Sequence, residues 1–443
     1  MSEQEGKKGQ VDRRTFLKIM GTAGATAAFM SVAQPAALGE AAFDRPLSPG
    51  EQPLPVSQDA GAILKAAPKD VLAGIYQGMV TNRKWETTLK DLYVGGKDGL
   101  YGAAHLYIGE EAIANGVTGA LNKDDFVVGT HRGHAMCIAK SVMAGKDITG
   151  PMMAEIFVRQ GGTNKGFGGS MHIADMSVGI LGADGIVGSS WYIGAGAAYS
   201  ALLRGTKQVT VAYGGDGASN SEYFFNAVRN AYNYKLPVVF VVENNYWQIA
   251  IPMWSNVIGG HSSTYTKGLP VPSTTVDGND VAEVYAATKH AVDLARAGGG
   301  PSVIEGMTYR WYDHCCFAGA KVGVDGAFGL PYRSDSTVKE WMQRDPIPRY
   351  KDFLIGHKLM TADELTKIET DADATVKAAV DFARNSPKVN PQDGLLNVYS
   401  KGTIQATQFL NAQVPTAYNI DQSRRLAYHY VRGVRDLEEG SNV

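Results

Sequence analysis

Cysteine is scarce in this 443-residue chain: Cys137, Cys315 and Cys316 are too few for a disulfide framework. The adjacent pair has the chemistry for a metal or a vicinal bond. Free cysteine behaves as a small hydrophobe, and the pair reads as two small apolar residues. Charge of one sign is also lacking. With 42 Lys and Arg against 44 Asp and Glu, the net charge is −2. Nothing there is built to hold nucleic acid or an anionic membrane. No run is long and apolar enough for a comfortable transmembrane helix; Ile19–Ala33, rich in Ala, Gly and Thr, offers only about fifteen residues. The GxGxxG spacing of a nicotinamide-binding turn is missing from Gly214–Asn220. What is present is ordinary globular composition, 44% hydrophobic and 19% charged, enough for one large α/β domain or two smaller ones.

The amino terminus stands apart. Asp12-Arg13-Arg14-Thr15-Phe16-Leu17-Lys18 resembles a twin-arginine export signal, and small residues suited to cleavage follow at Pro35-Ala36-Ala37 and Glu40-Ala41-Ala42. The expectation is export to the periplasm. The alternative is a cytoplasmic protein with an uncleaved basic arm. Residues 1–42 are thus expected to be signal, and Phe43–Ala60, Pro-rich and without periodicity, a linker. Residues 61–389 form the main domain. Residues 390–443 are an extension with aromatic and basic residues, expected to pack on a neighbouring subunit.

The most informative stretch is Gln208–Ile249. Val209–Tyr213 reads as a strand. Gly214-Gly215-Asp216-Gly217 makes a tight turn, and Ser219, Asn220 and Ser221 offer caps for a helix from Glu222. Val238–Val242 is a continuous apolar run, as for a parallel strand buried on both faces, and it ends in Glu243-Asn244-Asn245. This βαβ unit predicts an α/β fold with a parallel sheet and helices on both faces. Asp216 and Asn245 then stand at carboxyl ends of strands, where such sheets bind ligands. A carboxylate and an amide oxygen, completed by a substrate phosphate, fit Mg2+. The alternative is a structural turn that needs Asp and Asn only for its geometry.

GDG with a paired asparagine 29 residues after Asp216 resembles the signature of thiamine-diphosphate enzymes. From about Lys69 to Pro387 the chain resembles alpha subunits of the decarboxylating component of 2-oxo-acid dehydrogenases, the pyruvate, branched-chain and acetoin group. The resemblance implies the thiamine-diphosphate-binding fold, with thiamine diphosphate and Mg2+ as cofactors. Asp216, Asn245 and the main-chain carbonyl of Trp247 would hold the metal, with Gly217 and Ala218 lining the turn. Thr130-His131-Arg132-Gly133-His134 resembles the family's Tyr-Arg-x-His, which makes Arg132 and His131 diphosphate contacts and His134 an active-site histidine. Gly185 and Val187, in Gly182–Gly188, would hold the aminopyrimidine. Thr308–Cys315 resembles TYRxxGHS, making Arg310 a second diphosphate ligand and His314 a proton donor or acceptor over the thiazolium. His105 would face the substrate side. Lys165–His172 resembles the family's glycine-rich KGxGGSMH loop.

Four positions depart from the pattern: Glu110 for Gln, His131 for Tyr, Asp313 for Gly and Cys315 for Ser, the last removing a serine that some relatives phosphorylate. Ile258–Lys267, rich in Gly, Ser and Thr, is expected to be a mobile loop, and the glycine-rich Phe317–Leu330 is longer than usual. No stretch resembles the beta subunit that supplies the activating glutamate. The implied enzyme is therefore an α2β2 heterotetramer acting on a pyruvate-like 2-oxo acid, passing the acyl group to a lipoyl acyltransferase or another acceptor. An acetoin-cleaving dehydrogenase and an exported non-catalytic relative are the alternatives.

Overall fold

Six runs of β-branched and apolar residues pair into one all-parallel sheet in the computed structural model. The structure describes residues 60–396 except 101, 258, 267 and 316–325. The expected signal, the linker before Ala60, Cys316, most of the long loop and the extension beyond 396 lie outside the described residues.

The strands are β1 (Phe126–Thr130), β2 (Ile180–Asp184), β3 (Thr210–Gly215), β4 (Val238–Asn244), a small hairpin of β5 (Trp247–Gln248) and β6 (Ile251–Pro252), then β7 (Ser273–Asp277) and β8 (Ser302–Met307). The large sheet runs β2-β1-β3-β4-β8-β7. Val211 of β3 pairs with Val127 of β1 on one side and Val239 of β4 on the other. The helices are α1 (Ala60–Lys65), α2 (Lys69–Gly95), α3 (Glu111–Gly119), α4 (His134–Ala144), α5 (Thr149–Ile156), α6 (Ser189–Leu203), α7 (Asp216–Ser219), α8 (Glu222–Asn233), α9 (Val281–Arg296), α10 (Asp335–Gln343), α11 (Pro346–Gly356), α12 (Ala362–Asn385) and α13 (Pro391–Leu396).

Side chains alternate across a strand, so each central strand feeds two cores. Val211, Tyr213, Val239 and Val241 point into a core shared with α3, α4 and α5. Ala212, Phe240 and Val242 point the other way, against Trp191 of α6 and Phe224 and Val228 of α8. That second packing is close. A Cβ on Gly214 would stand 2.0 Å from the Trp191 ring, which is why the strand end is glycine. Leu72, Ile75, Tyr76 and Met79 recur at helical spacing along α2 and are buried. Gly96, in the left-handed region at φ 64°, ends that helix. Among the described residues, no helix is long and apolar enough to cross a membrane.

Two local expectations are corrected. Ser221 stands at the N-cap of α8, but its hydroxyl donates back to the Ala218 carbonyl instead of capping the helix. The residues before it, Asp216–Ser219, already form the helical turn α7. The segment expected to be a mobile loop is packed down over Ser262–Thr266, where Ser262, Ser263 and Thr266 are buried. The cause is the β8 carboxylate of Glu305, which accepts from the Ser262 and Ser263 amides at 2.9 and 3.0 Å.

Candidate active site

The chain reverses direction across the sheet between β1 and β3: β2 is added outside β1, then β3 on its other flank. Ligands of open parallel sheets bind at such a point, beyond the carboxyl ends of the strands. His131 and Arg132 follow β1, Gly185 and Val187 follow β2, and Asp216, Gly217 and Ala218 follow β3. Asn245 and Trp247 follow β4, and Arg310 and His314 follow β8. His105 and Glu110 arrive on the segment between α2 and α3.

Two guanidiniums are the strongest charges here. Arg132 donates to the Leu106 carbonyl at 2.6 Å and the His314 carbonyl at 3.1 Å, with a Glu110 oxygen 3.7 Å from its Nε. Arg310, 1% exposed, donates to the carbonyls of Trp247 (3.2 Å) and Ile249 and to the Tyr332 hydroxyl (3.0 Å). Its Nε is buried without a partner. Among the described residues no carboxylate pairs directly with Arg310. A buried cation bonded only to neutral acceptors is costly unless an anion completes it.

Acceptors without donors complement these donors. Asp216 is 3% exposed, and its Oδ2 has no hydrogen-bond partner. Burial pushes its carboxyl up to about 7, against the pull of Arg310. Asn245 donates to Glu110 Oε1 at 3.0 Å, and its own Oδ1 accepts from the Trp247 amide at 3.2 Å. Glu110, wholly buried, makes no hydrogen bond through the oxygen that faces Arg132 Nε at 3.7 Å, and is pushed up to about 7 by burial, opposed by Arg132. The Trp247 carbonyl is held by Arg310. The neighbours Gly217 and Ala218 contribute main chain: Gly217 faces the Gln248 side chain, and the Ala218 carbonyl accepts from Trp191 Nε1 at 3.2 Å. Hard oxygen donors, one of them an orphaned buried carboxylate oxygen, fit a small divalent cation beside an anion held by arginines.

Three histidines cover the other side of the arginines. The rings of His105, His131 and His314 stand 4.7 to 5.1 Å apart, centroid to centroid. Burial, with the two arginines adding, drives His131 down to about 3 and His314 well below the usual imidazole range. Burial and the His131 ring bring His105 to about 2. All three are therefore neutral at physiological pH, each with one N–H to give and one nitrogen to receive. A ring nitrogen from each lies within 4.8 Å of the others, a spacing that could gather a metal. Yet Arg132 Nη2 is 3.4 Å from His314 Nδ1, so a dication there would meet a permanent like charge.

His134 does not join that cluster. It opens α4, is fully buried, and has both nitrogens engaged: Nδ1 with Glu86 at 2.9 Å and Nε2 with the Ser170 hydroxyl at 3.0 Å. Glu86 also accepts the Tyr107 amide at 2.6 Å, so His134 ties the segment carrying His105 to the glycine-rich loop carrying Ser170. That loop hangs on Glu155, whose carboxylate accepts the amides of Asn164, Gly166, Gly168 and Gly169 at 2.6 to 3.2 Å. Gly185 faces His172 of the same loop. Ile186 and Val187, which follow β2, are 68% and 56% exposed.

Sequence reasoning gave no role to Glu86, Glu110, Glu155, Glu243 or Tyr332. Glu243, the last charged residue of β4, bonds the Tyr107 hydroxyl under the site. A charged residue ending a wholly apolar strand was the available signal for Glu243, and the departure from Gln was the signal for Glu110. Tyr332 had none.

Residues 77–392 match the dehydrogenase E1 component family. The chain is 40% identical over 329 residues, 73% of its length and 92% of the relative's, to the alpha subunit of acetoin:2,6-dichlorophenolindophenol oxidoreductase from Bacillus subtilis. It is 36% identical over 345 residues, 77% and 98% of the two lengths, to the alpha subunit bearing the same name in Cupriavidus necator. It is 33% identical over 331 residues, 73% and 91%, to pyruvate dehydrogenase E1 component subunit alpha from Porphyra purpurea. With strand-end geometry and sequence in agreement over most of its length, the chain belongs to the dehydrogenase E1 component family, on the side of its alpha subunits.

Proposed function

We propose that this chain is the alpha subunit of a thiamine-diphosphate-dependent dehydrogenase that decarboxylates a pyruvate-like 2-oxo acid and passes the acyl group to a lipoyl arm or another acceptor. The observation that carries the reading is Arg310, a buried guanidinium that no carboxylate of the described residues pairs, at the same end of the sheet as Arg132 and as Asp216 with its unpartnered oxygen. Thiamine diphosphate, when bound, supplies the nucleophilic carbon for cleavage next to a carbonyl. Arg132 and Arg310 bind the diphosphate oxygens, with His131 giving one neutral N–H. Asp216, Asn245 and the Trp247 carbonyl hold Mg2+. Gly185 and Val187 cradle the pyrimidine. His314 and His105, neutral and adjacent, would give and take protons beside the bound substrate. His134 holds the walls of the site together through Glu86 and Ser170.

A beta subunit completes the enzyme. Support comes from the relatives, which are named as alpha subunits, and from the exposed apolar residues Ile186 and Val187, joined by exposed Tyr192 and Ile193 on α6. The motif at Arg13-Arg14 supports export of the folded chain by the twin-arginine route, with residues 1–42 removed. Recovery of a mature form lacking them from the periplasm tests this.

The names of two relatives favour a second reading, cleavage of acetoin. The deciding experiment purifies the chain alone and with its partner subunit. Reduction of 2,6-dichlorophenolindophenol is then followed with pyruvate, branched 2-oxo acids and acetoin, with thiamine diphosphate and Mg2+. Turnover of a 2-oxo acid by the pair alone is expected. Turnover by the isolated chain overturns the two-chain reading, and turnover of acetoin alone selects the second substrate.

A further inference from the structure

The position where the family pattern has glycine carries Asp313, and the structure gives that carboxylate a specific job. Asp313 is 1% exposed, and its own amide donates to the Gly326 carbonyl at 2.8 Å, which fixes its backbone. Its Oδ1 accepts the Tyr332 hydroxyl at 2.6 Å and the His314 amide at 2.7 Å, while Oδ2 has no hydrogen-bond partner among the described residues. The Tyr332 hydroxyl in turn accepts from Arg310 Nη2 at 3.0 Å. A guanidinium only donates and a carboxylate only accepts, so the single phenolic proton must lie toward Asp313. That leaves the Tyr332 lone pairs turned to Arg310.

We propose that Asp313 and Tyr332 form a positioning relay that presents Arg310 to the diphosphate without neutralising it. A direct Asp–Arg pair in this buried site would spend the charge the anion needs. Placing a neutral phenol between them keeps the guanidinium oriented, and the Asp313 charge offsets it only at second remove. The surroundings hold the phenol in place. Its ring packs on Trp247 at 5.2 Å between centroids, and the neighbouring Arg333 donates to the Arg310 carbonyl at 2.7 Å. The same carboxylate fixes the His314 main chain, so one residue sets the starting points of both the anion-binding and the proton-handling side chains. This inference rests on Arg310 being a diphosphate ligand.

The test is calorimetric titration of Mg2+–thiamine diphosphate into the enzyme purified as it assembles in its source cells. Asp313→Asn, Tyr332→Phe and the double variant are compared, each also on an Arg310→Ala background. Each single change is expected to weaken binding about tenfold, as for loss of a hydrogen bond to a charged group. The double variant is expected to be no weaker than either, and neither change is expected to matter once Arg310 is gone. For Tyr332→Phe, which does not touch His314, the rise in the cofactor's apparent KM should exceed the fall in turnover at saturating cofactor; Asp313→Asn, which also touches the His314 main chain, is read by affinity alone. Wild-type affinity in the single variants, or losses that persist in the Arg310→Ala background, overturn the relay. A wild-type enzyme that binds no thiamine diphosphate overturns the diphosphate reading, and the relay with it.

Discussion

Asp216 carries the proposed metal site: among the described residues no side chain partners its Oδ2. Its Oδ2 is buried and unpartnered, and burial holds the carboxyl up to about 7. Replacing it with alanine removes the anionic ligand and leaves the amide of Asn245 and a carbonyl, too little for Mg2+. Asp216→Ala should therefore lose Mg2+-dependent thiamine diphosphate binding, by about 100-fold or more. Unchanged affinity by calorimetry would refute the site. His131 permits a pH test. Its imidazole titrates near 6.5 when free and near 3 in the folded chain. Below 6.5 the unfolded chain takes up a proton that the folded chain refuses. The stability contributed by neutral His131 is therefore complete above 6.5 and is lost as pH falls toward 3. The slope is at most about 1.4 kcal/mol per pH unit. Between pH 6.5 and 5, His131→Asn should lose less unfolding free energy than wild type; equal slopes in denaturant titrations would contradict the shift.

At the scale of elements, two devices hold the strand ends in position. The first is the contact of Gly214 with Trp191, where an added Cβ would sit 2.0 Å from the ring. Trp191 is locked by its bond to the Ala218 carbonyl and by its packing on Phe224 at 5.0 Å, so it cannot yield. Gly214→Ala is expected to destabilise the fold by about 1–3 kcal/mol by overpacking, read as a lower unfolding midpoint. The second is Glu155, which gathers four amides of the glycine-rich loop. Glu155→Ala should cost on the order of 3 kcal/mol and speed hydrogen exchange at residues 164–169, while the sheet stays protected. Slow exchange in that loop would show that it is held by other contacts.

The strands and long helices were legible in the sequence because their signals are local. The apolar run of β4 and the helical stripe of α2 each lie within one element. The segment at Ser262–Thr266 misled because its Gly, Ser and Thr composition hides Glu305, 43 residues from Ser262, which pins it. His134 shows the opposite case. Two residues from Arg132 in the chain, it points from the start of α4 toward Glu86, away from the three-histidine cluster.

For the molecule as a whole, an exposed apolar pair stands between β2 and α6, in the segment that carries Gly185. Ile186 and Val187 are among the most exposed apolar side chains of the described residues. Apolar patches of this kind mark surfaces that a partner covers. Ile186→Glu, at a position 68% exposed, should leave the unfolding midpoint unchanged while weakening assembly with the beta subunit. Light scattering of the co-purified pair reads this directly; full assembly by the variant would place the interface elsewhere.

The sequence alone determined the class of fold, the βαβ unit at its centre and the short motifs at the strand ends. Those depend on periodicity and turn chemistry, which are properties of neighbouring residues. Only the tertiary structure decided which charges share a buried space. Arg310 meets Tyr332 and Asp313, Asn245 meets Glu110, and three neutral histidines crowd around Arg132. Burial sets their protonation and pairing, and burial depends on what the rest of the chain places around each group.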